Sequence, residues 1–141
     1  MSAQSNAALA RQIYDQFSKG DFESVLSNAA EDMEVELVPF GQTFSGHQGF
    51  RDFMGVFKQA FPDIVVTIDN QVATDTHVVN ECTWNGIHKG ILMTPTGEIP
   101  ATGGKVEGAR FCEVWEIRNG KLVSIHNYQD PATWLRQLGL A

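Results

Sequence analysis

The chain has 141 residues, a formal net charge of −7 and 43% hydrophobic residues. This length fits a single domain over residues 1–141, and the composition is sufficient for a sizeable apolar core. The acidic balance argues against nucleic acid as a partner, and the lack of a basic run or an apolar stretch of about 20 residues argues against a membrane.

Cysteine content and the first residues bear on the compartment. Cys82 and Cys112 lie inside apolar, strand-like runs, which favours buried free thiols. The segment MSAQSNAALAR has no basic region followed by an apolar one, so no secretory signal is predicted. We therefore predict a cytoplasmic protein.

Apolar spacing predicts helices in the first half of the chain. Asn6 to Lys19 and His47 to Phe61 carry apolar side chains three or four residues apart, and Pro62 stops the second of these helices. Asp21 can cap a short helix through about Asn28. Between these helices, Met33 to Val38 alternates apolar and acidic residues, which predicts a half-buried strand.

The second half of the chain is dominated by predicted strands. Four of them are expected, at Ile64 to Ala73, His77 to Gly90, Lys105 to Ile117 and Leu122 to Gln129. Asn119-Gly120 is a strong signal for a two-residue hairpin turn between the last two.

Two further segments complete the prediction. Met93 to Gly104 is rich in glycine and proline and is predicted to be a long hairpin loop, and Asp130 to Leu138 is predicted to be a closing helix. Helices segregated from an antiparallel sheet indicate an α+β fold. The chain has no βαβ alternation and no glycine-rich phosphate loop.

Glu113 is the first candidate for chemistry. Strand alternation places it on one face with Phe111 and Trp115, and an apolar aromatic face raises the pKa of a carboxyl group toward neutrality. Such a group can accept or donate a proton near pH 7. The alternatives are a salt bridge to Arg110 or Arg118, or an exposed face.

His88 and Asp130 are further candidates. Trp84 and His88 bracket Gly86 on one strand face, which leaves space for a ligand and lets His88 move a proton or bond a carbonyl. A histidine satisfied by a neighbouring strand is the alternative. Asp130 precedes Pro131 and is a standard helix cap, yet it also lies where the last strand leaves the sheet.

Other kinds of site have no support in the sequence. The four histidines show no metal-binding spacing, and no serine lies in a nucleophile elbow. We therefore predict neither a metal nor any other cofactor.

Five segments in order resemble one protein family. FSGHQGFRDFMGVFKQAFPD (44–63), TWNGIHKG (83–90), IPATGGKV (99–106), RNGKL (118–122) and DPATWLRQLG (130–139) are similar to segments of the SnoaL-like polyketide cyclases, within the nuclear-transport-factor-2-like superfamily. The resemblance implies a cone-shaped, curved antiparallel sheet wrapped by helices around a single pocket, the cystatin-like architecture. It also implies cofactor-free ring closure of a polyketide ester by intramolecular aldol condensation, with an aspartate on the last strand and a histidine on the strand before it.

The residues that this resemblance implies are not all present. With the Asn-Gly turn held in register, the histidine position falls on Glu113 and the aspartate position on Asn127. Asp130 matches an acidic residue at the strand-to-helix corner. Either Glu113 has taken over the acid/base role with Asn127 as its hydrogen-bond partner, or the aldol activity is absent.

Three functional hypotheses follow. The first is a cyclase or isomerase acting on a small apolar carbonyl compound, with Glu113 as base, Asp130 as second choice, and His88 and Asn127 orienting the substrate. The second is a non-catalytic module that binds a hydrophobic small molecule in the same pocket. The third, compatible with both, is a homodimer formed through the outer sheet face that carries Cys112, Val114, Tyr128 and Leu122. In the first two, the expected ligand-binding residues are Trp84, Trp115, Phe111, Phe57, Phe53, Tyr14 and Phe17.

Overall fold

Four α-helices, one short 3-10 helix (Val38–Phe40) and eight strands follow one another along residues 2–141, the part of the chain that a computed structural model describes. The helices are α1 (Ala3–Ser18), α2 (Phe22–Ser27), α3 (Gly46–Ala60) and α4 (Pro131–Gln137). The strands are β1 (Ala29–Leu37), β2 (Gln42–Ser45), β3 (Val65–Ala73), β4 (His77–Ile87), β5 (Leu92–Thr94), β6 (Gly97–Ile99), β7 (Lys105–Arg118) and β8 (Lys121–Gln129).

Local capping fixes the ends of the first two helices. Ser2 caps α1 by accepting a hydrogen bond from the backbone N–H of Ser5, and Asp21 caps α2 in the same way through Ser24. Gly20, at a φ of 76°, supplies the left-handed residue between the two helices. The predicted short helix is confirmed, and α1 begins three residues earlier than predicted.

Six strands form one curved sheet in the order β2-β1-β8-β7-β4-β3. The α+β prediction is confirmed, and neighbouring strands are antiparallel except for β1 and β8, which are parallel. This pair joins strands far apart in the chain, so no hairpin turn forces them to run in opposite directions.

The predicted loop between β4 and β7 contains structure of its own. β5 and β6 form a separate two-stranded hairpin there, with its turn at Pro95 and Thr96. The predicted strand ending at Gly90 stops at Ile87 instead. The backbone of Gly90 lies so close to α3 that a Cβ atom would sit 2.1 Å from the carbonyl oxygen of Gln59. The prediction also missed β2, a short strand that pairs with β1.

A β-bulge alters the faces predicted for β8. The register runs from Glu116 opposite Ser124 to Ile117 opposite Leu122, so Val123 is an extra residue. Leu122 is therefore buried in the core, and Val123 lies on the outer side with Ser124. The prediction that Leu122 lies on the outer face is wrong.

The outer face of the sheet is more charged than predicted. Over β1, β7 and β8 it forms a groove lined mainly by acidic and polar side chains, namely Asp32, Glu34, Glu36, Thr43, Glu116, Arg118, Val123, Ser124 and His126. Tyr128 is 46% exposed beyond it. A homodimer through this face stays a prediction, and it would have to accommodate these carboxylates. In residues 2–141, no helix has the length and apolar character needed to cross a membrane.

Candidate functional site

A pocket lies between the inner face of the sheet and helices α1 and α3. Its walls are almost entirely apolar, and all seven aromatic residues predicted to bind a ligand line it. The cavity has a volume of about 70 Å³. Its lining residues are Ile13, Tyr14, Phe17, Phe50, Phe53, Met54, Phe57, Ile64, Val66, Trp84, Phe111, Glu113, Trp115, Ile125, Asn127 and Gln129.

Glu113 supplies the carboxyl group of this pocket. It lies in the middle of β7 and is only 4% exposed. Its Oε1 accepts hydrogen bonds from the hydroxyl of Tyr14 at 2.5 Å and from the indole N–H of Trp115 at 3.0 Å. Its Oε2 accepts one from the side-chain amide of Asn127 at 2.7 Å. Glu113 therefore faces the pocket as an acceptor held by three donors.

The salt-bridge alternative for Glu113 does not hold. Arg110 pairs with Asp69, and Arg118 pairs with Glu116 on the outer side of the sheet. Alternation along β7 turns both arginines away from the face that carries Glu113. Within residues 2–141, no lysine, arginine or histidine side chain lines the pocket.

Burial has the largest influence on the pKa of the Glu113 carboxyl group. Removal from water raises the pKa of Glu113 above its ordinary value, and the hydrogen bonds from Tyr14, Asn127 and Trp115 oppose that rise. Burial and the nearby Glu113 charge together raise the pKa of Tyr14 well above its usual value. The pocket thus holds a proton acceptor of increased basicity next to a hydroxyl group that keeps its proton.

A chain of amide hydrogen bonds supports Glu113 from the side of β8. Asn127 lies directly opposite Glu113 in the β7/β8 register. Its Oδ1 accepts a hydrogen bond from the Nε2 of Gln129 at 2.8 Å, and the Oε1 of Gln129 accepts one from the indole N–H of Trp134 at 3.0 Å. Sequence reasoning missed Gln129, although alternation along β8 already put it on the same face as Asn127.

Two residues on β4 lie close to this network. Cys82 is fully buried, and burial together with the Glu113 charge raises its pKa to about 12. Asn80 lies opposite Glu113 in the β4/β7 register and accepts a hydrogen bond from Gln71, while its buried side-chain nitrogen has no partner in the described structure.

His88 does not reach the pocket. Its backbone bonds to Gly103 and Gly104, and its ring packs on Phe61. The ring Nδ1 accepts a hydrogen bond from the backbone N–H of Thr102, and burial lowers the His88 pKa, so the ring is neutral. His88 is therefore not among the pocket-lining residues, and its role as a substrate-orienting group stays a prediction that this position does not support. Its Nδ1 is satisfied by Thr102, outside any strand, while its buried Nε2 has no partner within residues 2–141.

Asp130 also lies away from the pocket lining. Its carboxylate caps α4 by accepting hydrogen bonds from the backbone N–H and the hydroxyl of Thr133. These bonds lower the Asp130 pKa below its ordinary value, so this carboxylate stays ionised and solvated. Its role as an alternative base is not supported, and its capping role is.

The described residues contain no cluster of side chains that could bind a metal ion. Within residues 2–141, no three or more His, Cys, Asp or Glu side chains are grouped so that they could hold a metal ion. What the pocket can do chemically is accept a proton at Glu113 in a water-poor, aromatic environment.

Comparison with known proteins places this geometry among related structures. The family model of SnoaL-like polyketide cyclases matches residues 8–138. No protein of curated function matches significantly. A proposed SnoaL-like polyketide cyclase from Jannaschia sp. CCS1 has a similar structure, with a TM-score of 0.87 at 14% identity over 99% of this chain and 94% of that one.

Two further solved structures are similar. IdmH from Streptomyces antibioticus, a proposed polyketide cyclase, has a TM-score of 0.78 at 24% identity over 94% of this chain and 96% of its own. AclR from Streptomyces galilaeus, a proposed hydroxylase, has a TM-score of 0.82 at 19% identity over 100% of this chain and 99% of its own. At these identities the likeness shows the fold, and the fold carries more than one proposed chemistry.

Proposed function

The chain belongs to the SnoaL-like polyketide cyclase family, and from that premise we propose that it is a cofactor-independent cyclase or isomerase acting on a small apolar carbonyl compound. The observation that carries this proposal is the buried Glu113 side chain, the one carboxyl group in the pocket lining of residues 2–141. An isolated acid in an aromatic pocket is costly to keep, because burial disfavours its charge.

The proposed step is proton removal next to a carbonyl group. Glu113 takes the proton from the carbon, and the C–H electron pair forms the enolate. In the cyclase reaction the enolate carbon attacks a second carbonyl carbon, the π pair of that C=O moves onto its oxygen, and the proton held by Glu113 passes to the resulting alkoxide. In the isomerase reaction the proton returns to another carbon instead. Oε2 of Glu113 has one hydrogen-bond partner where Oε1 has two, so Oε2 is the better-placed acceptor.

The pocket limits the charge and size of the substrate. With apolar walls and no lining cation among residues 2–141, a neutral ketone or ester is favoured over a carboxylate. A volume of about 70 Å³ is roughly half that of an apolar cavity of about 150 Å³ that takes up benzene. A ring-sized substrate therefore requires aromatic side chains of α1 or α3 to move aside.

The test uses proton exchange, which needs no knowledge of the natural substrate. The protein is incubated with 2-tetralone, a small neutral ketone, in deuterated buffer, and loss of the proton signal next to the carbonyl is followed by NMR. We expect exchange faster than in buffer alone, and a loss of about 100-fold or more in Glu113→Gln, since a general base contributes roughly 10²–10⁴-fold.

Glu116→Gln is the matched control for this test. Glu116 is on the same strand, faces outward and pairs with Arg118, so its removal leaves the pocket intact. Equal exchange in Glu113→Gln and the wild-type protein, with both variants folded by thermal unfolding, would remove Glu113 from the proposed role.

A binding module is the second candidate. It is favoured by Asn127, which occupies the position where the family resemblance implies an acid/base aspartate and which cannot act as a proton-transfer base. Saturable quenching of tryptophan fluorescence by 2-tetralone, without any catalysed exchange, would support this alternative.

A further inference from the structure

We propose that Trp134 is a positioning residue whose indole N–H sets, through Gln129, the direction in which the Asn127 amide faces Glu113. The proposal rests on the proposed function, because it describes how Glu113 is kept as a proton acceptor. It assigns to the C-terminal helix α4 a part in the chemistry of a pocket that this helix does not line.

The direction of each hydrogen bond from Trp134 to Glu113 follows from one group, the indole N–H, which can only donate. An indole N–H has no acceptor capacity, so the atom of Gln129 that faces Trp134 must be the amide oxygen. The Gln129 nitrogen then faces Asn127 and requires the Asn127 oxygen opposite it. The Asn127 nitrogen is consequently left to face Glu113, where it can only donate. Reversing either amide would set two donors or two acceptors against each other.

The fold holds the starting donor firmly in place. Trp134 is 1% exposed and packs edge-on against Trp84 and Phe61. At the end of α4, the side chain of Gln137 exchanges two hydrogen bonds with the backbone of Glu107 on β7. The capped start and the anchored end of α4 thus fix the indole relative to the sheet.

This arrangement favours one protonation state of Glu113. A donor facing Oε2 stabilises the carboxylate, whereas a reversed Asn127 would present an oxygen and require Glu113 to carry a proton. The other titratable groups near Glu113 are Tyr14 from α1, Cys82 from β4 and Cys112 on its own strand. All three are neutral at physiological pH because burial raises their pKa values, so none of them competes with the amide chain for this role.

The experiment measures the pKa of Glu113 by carbon-13 NMR of its carboxyl group in the full chain, with Glu113→Gln used for assignment. Trp134→Phe keeps an aromatic ring and deletes the N–H. Without that donor both amide directions become available, so the Glu113 pKa should rise by about one, a tenfold gain in proton affinity for the loss of one enforced charge-assisted bond. An unchanged pKa in folded Trp134→Phe overturns the proposal.

Trp84→Phe is the matched control, since it removes a neighbouring indole that contributes no hydrogen bond to the amide chain. It enlarges the pocket, so it should leave the Glu113 pKa unchanged or lower it. A rise as large as that in Trp134→Phe would show that lost packing is the cause and would overturn the proposal.

Gln129→Met supplies a second variant in case Trp134→Phe fails to fold. It cuts the same chain, so it should raise the Glu113 pKa by itself, and combining it with Trp134→Phe should add nothing. Additive changes in the Glu113 pKa would contradict a single series of hydrogen bonds from Trp134 to Glu113. Because these readouts are pKa values, they test the positioning role whether or not the protein turns over any ketone, and loss of the proposed function leaves them interpretable.

Discussion

Asn127→Asp is the substitution whose outcome follows most directly from the geometry of the pocket. The new carboxylate would keep the hydrogen bond from Gln129, while its second oxygen would replace the nitrogen that lies 2.7 Å from Oε2 of Glu113. Two carboxyl groups at that distance share one proton, and both cannot ionise without strong repulsion.

The magnitude follows from Coulomb repulsion between the two charges. Two unit charges about 4 Å apart repel by about 4 kcal/mol at an effective dielectric constant of 20, equivalent to about a thousandfold change in proton affinity. The upper pKa of the pair is therefore raised far above that of an unfolded carboxyl group. The free energy of unfolding is highest while the pair holds its proton, and it falls as the pH rises through that upper pKa. Since domains are stable by only about 5–15 kcal/mol, the loss is large.

The assay is urea unfolding followed by tryptophan fluorescence at pH 5 and pH 8. The free energy of unfolding of Asn127→Asp should fall between these values by up to about 4 kcal/mol more than that of the wild-type protein. The control combines Asn127→Asp with Glu113→Gln, which moves the single carboxylate to the position implied by the family resemblance and removes the repulsion. If Asn127→Asp shows the same pH dependence as the wild-type protein, residue 127 does not face Glu113.

Three further predictions concern the surroundings of the pocket. Cys82 should react with a thiol reagent at pH 8 only on unfolding, because it is fully buried and its pKa is raised to about 12; reaction at the rate of a free thiol in the native protein would contradict this. Gly90→Ala should strongly lower the thermal midpoint, because its Cβ atom would lie 2.1 Å from the Gln59 carbonyl oxygen. Gly55→Ala, in open space on α3, should instead raise stability by about 0.5–1 kcal/mol, and equal thermal midpoints in the two variants would refute the packing argument. Asp130→Ala should lower the thermal midpoint through the lost cap of α4 and leave 2-tetralone exchange unchanged, so a loss of exchange would restore Asp130 as a base.

The inner face of β7 could be predicted from the sequence because it depends on a local rule. Alternation alone placed Phe111, Glu113 and Trp115 together, and the structure confirms that all three line the pocket. The Asn119-Gly120 turn is likewise confirmed, with both residues at positive φ.

The hydrogen bond between Asn127 and Glu113, which the family resemblance led us to expect, is present in the structure, but it depends on features that no local pattern reveals. Continuing the register from Arg118 opposite Lys121 without a break would pair Glu113 with His126, and the bulge at Val123 brings Asn127 opposite it instead. The hydroxyl of Tyr14 reaches Glu113 across 99 positions of sequence, which requires the docking of α1 on the sheet. His88 was misplaced for a related reason, because its strand ends one residue before it and the backbone turns toward Gly104.

The central claim is that Glu113 is a buried proton acceptor whose pKa is raised by the apolar pocket. Its most direct test is the carbon-13 NMR titration of the Glu113 carboxyl group in the wild-type protein from pH 4 to pH 9. The structure predicts a midpoint clearly above the ordinary glutamate value of about 4.3. A midpoint at or below that value would contradict the claim.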